Sequence, residues 1–148
     1  MWVKNKHQTG FTIVELLIVI VVIGILAAIT IVAFNGVQQR GRDVKRTSDV
    51  GQLKKLVEMY KADTGTYPSP CAGGDNIGCS TGNLASLLVP NYASSIPQDV
   101  NAAKPYQYVK GSGTESYAIY IQAYESTAPC KTGVNVSSGW WGAGVPIC

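Results

Sequence analysis

The sequence predicts an α+β chain in which one long N-terminal α-helix packs its second half against a small antiparallel β-sheet. Three observations carry this expectation. Residues 11–34 form an apolar run with a single ionisable side chain, Glu15. Residues 35–63 change to an amphipathic helical pattern. Residues 64–148 break into short segments separated by Gly, Pro, Ser and Asn. At 148 residues the chain has room for one ordinary domain and little more.

Charge is sparse and uneven. Charged residues make up 14% of the chain, against about 25% in typical soluble proteins. Residues 1–10 carry Lys4 and Lys6 and no acid. Residues 40–63 hold seven bases and four acids, and residues 64–148 hold three bases and four acids. This distribution excludes a uniformly soluble cytosolic domain. A multi-pass transporter is excluded too, because only one stretch is long and apolar enough to span a bilayer. A net charge of +3 is too weak for a dedicated nucleic-acid-binding fold.

The first element runs from Phe11 to Phe34, 24 residues, enough as a helix to cross a hydrocarbon core of roughly 30 Å. It is longer than the apolar region of a secretory signal, and no A-x-A site follows it. A plain membrane anchor fits the length but gives Glu15 no purpose. An acid at the centre of such a helix costs about 2.5–3.5 kcal/mol. Glu15 near the start reads either as an interfacial acid or as one with a partner, for which a free amine is the natural choice. The positive-inside rule, counted on Arg40, Arg42, Lys45 and Arg46, puts the C-terminal side in the cytoplasm. The cysteines, all beyond this helix, argue the opposite and carry more weight.

Gly10-Phe11-Thr12-Ile13-Val14-Glu15, after a short basic leader and before LLIVIVVIGILAAI, resembles the processing site of type IV prepilins. The resemblance implies a leader peptide over residues 1–10, cut after Gly10 by a prepilin peptidase, and N-methylation of Phe11. It also implies that Glu15 pairs with the N-terminal amine of a neighbouring subunit during assembly. Such a pair in apolar surroundings sets register between helices, and losing one partner costs about 3–5 kcal/mol. Many members of that family carry a proline where this chain has Thr30-Ile31-Val32. Here Gly24, Gly36 and Gly41 are the weak points, and melting in a filament is expected at Gly36 or Gly41.

The helix continues through residues 35–63. Val50, Leu53, Val57 and Tyr60, with Leu56 beside them, make one apolar stripe. Thr64-Gly65 and then Pro68 stop it. A helix over about residues 12–63 would be roughly 78 Å long. The cluster Arg40, Arg42, Lys45 and Arg46 reads as a solvated juxtamembrane face, paired with acids such as Asp43 and Asp49, in preference to a phosphate-binding patch.

Beyond residue 64, Leu84–Leu88 predicts a short helix ended by Pro90. Tyr106–Val109 and Ser116–Tyr124 predict an antiparallel hairpin across the turn 110–114. A third strand is expected over Val134–Val136. Tyr60–Pro68, Ile96–Asp99 and Pro105–Tyr108 resemble the helix exit and following segments of type II secretion major pseudopilins and their pilin relatives. The likeness fades after about residue 125. The calcium site of those pseudopilins is not carried over, because no acid occurs after Glu125.

Cys71, Cys79, Cys130 and Cys148 show no metal-ligand spacing, and the lone His7 lies in the leader, so no metal is expected. An even count in a loop-rich domain predicts disulfides and an oxidising compartment. Three pairings exist. Cys71–Cys79 with Cys130–Cys148 is favoured because each closes a short local loop. Closing about 15 residues stabilises by roughly 3 kcal/mol on a chain-entropy argument. Trp140, Trp141 and Lys131 in the second loop are candidates for an exposed contact surface. The rival reading has both rings covering the sheet. Asn135-Val136-Ser137 fits a glycosylation sequon and is taken as loop.

The C-terminal domain has no histidine, and its serines and carboxylates lack catalytic partners, so no enzyme and no cofactor is expected. The expected organisation is a leader over 1–10, a transmembrane half-helix over 11–34, an amphipathic half-helix over 35–63 and an extracytoplasmic domain over 64–148. The expected function is a structural subunit, polymerised into a type IV pilus-like filament for adhesion, motility or DNA uptake. The alternatives are a type II secretion pseudopilin and a monomeric membrane-anchored binding domain. By resemblance the partners are further copies of the chain, the prepilin peptidase, an assembly ATPase, an inner-membrane platform protein, and DNA or surface receptors. The expected location is the inner membrane as precursor, then an extracellular filament.

Overall fold

The computed structural model describes residues 10–148, so Lys4, Lys6 and His7 lie outside the described residues. The chain divides into two compact units, residues 1–38 and 39–148. Helix α1, Ile13–Thr64, is continuous over 52 residues and passes through Gly24, Gly36 and Gly41. Among the described residues it is the one helix long and apolar enough to cross a membrane.

In residues 10–38 the large apolar side chains that the structure describes are between 48% and 89% exposed. A helix can present such a surface to lipid because its backbone groups are already paired within it.

In residues 39–148 the C-terminal part of α1 turns Val50, Leu53 and Val57 inward, each at most 3% exposed. Leu56 and Tyr60 pack against the same core. The helix ends where Gly65 takes a left-handed φ of +79° and its N–H donates to the Lys61 carbonyl at 2.8 Å. Strand β1 is Cys79–Ser80. It is followed by a 3-10 turn over Thr81–Leu84 that runs into α2, Ala85–Leu88. Strands β2 (Gln107–Lys110), β3 (Tyr117–Ile121) and β4 (Cys130–Val134) complete a four-stranded sheet. Its order is β1-β2-β3-β4 and every pairing is antiparallel.

The sheet is covered on both faces. Tyr108, Tyr117, Ile119 and Ile121 join Leu84, Leu88 and the helix stripe in the main core. Tyr67 lies 4.5 Å from Tyr117 between ring centroids, with Tyr108 on the other side at 6.0 Å. On the opposite face Val109, Ala118 and Lys131 are buried outside that core. Their register partners Tyr120 and Gly133 complete the face.

The third predicted strand is corrected. It covers Cys130–Val134 and not Val134–Val136. Asn135 adopts a left-handed φ of +48°, which ends the ladder. Strand β3 stands within its predicted segment, and β2 is shifted one residue later than expected, to end at Lys110. Strand β1 has no sequence periodicity to announce it, being two residues long.

Candidate functional site

The N-terminal site is built by the start of α1. Gly10 is exposed with open space around its Cα, and Phe11 is 89% exposed. Thr12 caps the helix. Its Oγ1 accepts the Glu15 N–H at 3.2 Å, and Glu15 Oε2 accepts the Thr12 N–H at 2.8 Å and the Thr12 hydroxyl at 2.7 Å. This reciprocal arrangement is a capping box, legible as Thr-x-x-Glu and not drawn from the sequence above. Both contacts use Oε2. Oε1 makes no hydrogen bond among the described residues, so one carboxylate oxygen stays open to a donor from outside the helix.

The second cluster lies in residues 39–148; its pairing with Asp43 and Asp49 follows the sequence expectation, while its burial and its partners Asp99 and Glu125 were not foreseen. Arg46 is 2% exposed and stands among three carboxylates. It donates through Nε to Asp99 at 3.0 Å, and through Nη1 to Asp43 at 2.7 Å and Glu125 at 3.0 Å. Arg42 adds a bidentate pair to Glu125. Asp43 also accepts the backbone N–H groups of Glu125 and Ser126. The neighbouring Asp49 takes Lys45 and the Tyr106 hydroxyl, the latter at 3.0 Å.

The basic cluster is therefore corrected in part: Arg46 is a buried hub and not a solvated side chain. Asp99 and Glu125, which arrive from distant loops, supply carboxylates to Arg46 and Arg42. Burial pushes the Asp43 carboxyl up, but the Ser126 hydroxyl and N–H, Arg46 and the Glu125 N–H outweigh it and hold the group at about 2. The hydrogen bond from Arg42, against desolvation and with Arg46 assisting, holds Glu125 at about 2. Burial works to lower Arg46, and its bonds to Asp99, Asp43 and Glu125 raise it instead.

The C-terminal loop is clamped at both ends. Disulfides join Cys71 to Cys79 and Cys130 to Cys148, with Cα separations of 5.5 and 5.2 Å. Lys131 N–H donates to the Pro146 carbonyl and Cys148 N–H to the Lys131 carbonyl, which lays the chain end along β4. The expectation of an exposed Lys131 is corrected: it is 2% exposed. Its Nζ donates to the carbonyls of Ser138 and Trp140 at 3.0 and 2.8 Å, so the charge serves to hold the loop. Trp141 stacks on Tyr120 with centroids 5.2 Å apart, and Trp140 Nε1 donates to Asn76 Oδ1 at 3.3 Å. Both rings are half-buried against the sheet's second face. Among the described residues no group of acids, histidines or cysteines is arranged to hold a metal ion.

Fold and site define a class: a helix-plus-sheet subunit whose apolar N-terminal helix begins at an exposed, capped Gly-Phe junction. Comparison with known proteins gives that class its family. The Prokaryotic N-terminal methylation motif matches residues 5–31. The type II secretion system core protein G of Aeromonas hydrophila is 32% identical over 107 residues, covering 70% of this chain and 74% of that protein. The core protein G of Vibrio cholerae is 34% identical, over about half of each chain (47% and 48%). The type IV wide pilus major component PilA4 of Thermus thermophilus is 28% identical over 133 residues, 90% of this chain and 94% of that one. No solved structure matches. The chain belongs to the family of type IV pilins and type II secretion pseudopilins, structural subunits that a prepilin peptidase processes before they assemble into filaments. The methylation motif and the apolar helix fit anchoring in the inner membrane.

Proposed function

We propose that this chain is a pilin, cut after Gly10, methylated on Phe11 and polymerised into a type IV pilus-like filament that reaches the cell exterior. The carrying observation is the start of α1. An exposed Gly10-Phe11 junction is open to a peptidase, and the Glu15 carboxylate behind it keeps Oε1 free. In the filament, Oε1 accepts the new Phe11 amine of a neighbouring subunit, while Oε2 remains with Thr12. The transmembrane segment is residues 11–34 and the extracytoplasmic domain residues 64–148. The disulfides support an oxidising compartment for that domain. Assembly requires an ATPase and an inner-membrane platform protein, and the filament serves adhesion, motility or DNA uptake. Trp140 and Trp141 act mainly as cover for the sheet, so a receptor or DNA strand meets only their outer edges.

The pilus reading draws on the similarity to PilA4, which runs over nearly the whole of both chains. A second reading, a type II secretion pseudopilus, is favoured by the higher identity to core protein G. Intact-mass measurement of purified surface appendages decides the matter. The expected species begins at methylated Phe11. Appendages whose subunit retains residues 1–10 would overturn the processing. Absence of the chain from surface appendages, with periplasmic filaments present, would select the secretion reading.

A further inference from the structure

The four bases at the start of residues 39–148 meet different fates. Arg42 is held by Glu125, Lys45 by Asp49, and Arg46 by Asp43, Asp99 and Glu125. Arg40 is exposed and makes no ion pair among the described residues. It stands at an open groove of about 630 Å³ beside α1, walled by Val44, Tyr124, Ala128, Pro146 and the Cys130–Cys148 disulfide. Val44 is 70% exposed, and Ala128 and Pro146 are exposed with it, so the walls present a bare apolar surface. The groove keeps its shape because the Tyr124 hydroxyl shares a 2.9 Å hydrogen bond with Thr47 and the disulfide holds the chain end. The one acidic side chain lining it, Asp43, is engaged by Arg46, Ser126 and the Glu125 N–H.

We propose that, while the chain is in the membrane, this groove holds one anionic phospholipid. Its phosphate sits on the Arg40 guanidinium, and its glycerol and upper acyl carbons lie against Val44, Ala128 and Pro146. Position along α1 supports this occupant. Arg40 is the first charged residue after Glu15. The uncharged residues between them, 16–39, make about 36 Å of helix, against a hydrocarbon core of roughly 30 Å. A helix that buries that stretch brings Arg40 to the headgroup phosphates. A guanidinium meets a phosphate through parallel N–H donors. The apolar walls ask for more than a free phosphate, which would leave them wet, and an uncharged apolar group would leave Arg40 without a partner. A zwitterionic head brings a cation for which the groove has no free acidic side chain, so a net negative head is favoured. The proposal goes beyond the filament reading and rests on membrane anchoring alone, so it is tested before any assembly.

The test places the full chain in phosphatidylcholine vesicles doped with a phosphatidylglycerol that carries a photoactivatable group high on one acyl chain. Peptide mapping then locates the adducts. They are expected on the peptides carrying Val44, Ala128 and Pro146, as well as on residues 13–34, which any surrounding lipid labels. At equal probe fraction the groove peptides should take about fivefold more label from phosphatidylglycerol than from the matching phosphatidylcholine probe, the preference one arginine gives at an anionic surface. Arg40→Gln should remove that preference and leave the labelling of residues 13–34 unchanged, while Arg40→Lys should keep most of it. Ala128→Trp, which fills the groove and leaves Arg40 in place, should remove most of the groove adducts. Adducts confined to residues 13–34, equal labelling by the two probes, or a preference that survives Arg40→Gln would each overturn the proposal. Crosslinked dimers through the groove peptides in place of lipid adducts would assign the groove to a second copy and overturn it equally. Vesicle flotation checks that each variant inserts. Where Arg40→Gln does not insert, Ala128→Trp decides, and undiminished groove adducts in that variant overturn the proposal.

Discussion

Residues 10–38 and residues 39–148 share one helix and follow opposite rules. In the first unit the described large apolar side chains face outward, and the one ionisable side chain in residues 10–38 is the Glu15 carboxylate at the helix start. The second buries its apolar stripe, covers both faces of a four-stranded sheet and encloses an arginine among carboxylates. The first unit's surface is favourable only when lipid or other helices surround it. The second buries a core of its own against its sheet. The difference separates two jobs, assembly and folding, along one chain, so substitutions in the two units should fail in different assays.

The largest expected effect on folding is at Arg46. Arg46→Ala leaves Asp43, Asp99 and Glu125 facing one another without their shared cation. Breaking a buried ion pair by removing one partner typically costs about 3–5 kcal/mol. Denaturant unfolding of the full chain in detergent, followed by tryptophan fluorescence, should show a loss of that size. A loss under about 1 kcal/mol would mean that the cluster is solvated in solution, as the sequence alone suggested.

Acid should act on the same cluster more gradually. Asp43 and Glu125 are both held at about 2, below their ordinary values of 3.8 and 4.5. A depressed carboxyl contributes stability that is fully present above its unfolded value and is lost as pH falls through the folded one. The unfolding midpoint of residues 39–148 should therefore hold steady above about pH 5 and drop between about pH 4.5 and 2. Helix content in residues 10–38 should stay unchanged across that range. A midpoint independent of pH down to about 2 would show that these carboxylates are not held by Arg42 and Arg46.

What the sequence made legible follows the range of each interaction. The long helix, its apolar stripe and the β2–β3 hairpin were readable because periodicity is local. The arginine hub was not, because Asp99 and Glu125 are 53 and 79 residues from Arg46. Nothing in the run Arg40–Arg46 distinguishes the one base that is buried. Lys131 misled for a similar reason: a lysine beside a glycine-rich loop reads as exposed, and only the fold brings the Ser138 and Trp140 carbonyls to its ammonium. Strand β4 was misplaced because β propensity in Val134–Val136 pointed past the strand end. The left-handed turn at Asn135 and the pairing of Cys130 with Ile121 place it earlier. At Gly133 only a missing side chain permits the register, since a Cβ there would stand 2.1 Å from the Tyr117 carbonyl oxygen.

The smallest expected effect on folding is the one that most sharpens the contrast. Glu15→Ala removes half of the capping box, and Thr12 then keeps only the Glu15-position N–H as its partner. Losing a cap costs about 1 kcal/mol of local helix stability. That loss falls at the helix start, far along the chain from the residue 39–148 core, so it should not reach the core's unfolding midpoint. Assembly should respond in the opposite proportion. Without the open carboxylate oxygen the neighbouring amine would be buried unpaired, and about 3–5 kcal/mol per contact is enough to abolish most polymerisation. The variant should be made, retained in the membrane and folded with both disulfides, while filament yield falls more than about tenfold. Glu15→Gln keeps an acceptor for the Thr12 N–H but no charge for the amine, so it separates the two roles. If Glu15→Gln assembles normally and Glu15→Ala does not, the carboxylate works only as a cap and the intersubunit pairing is wrong.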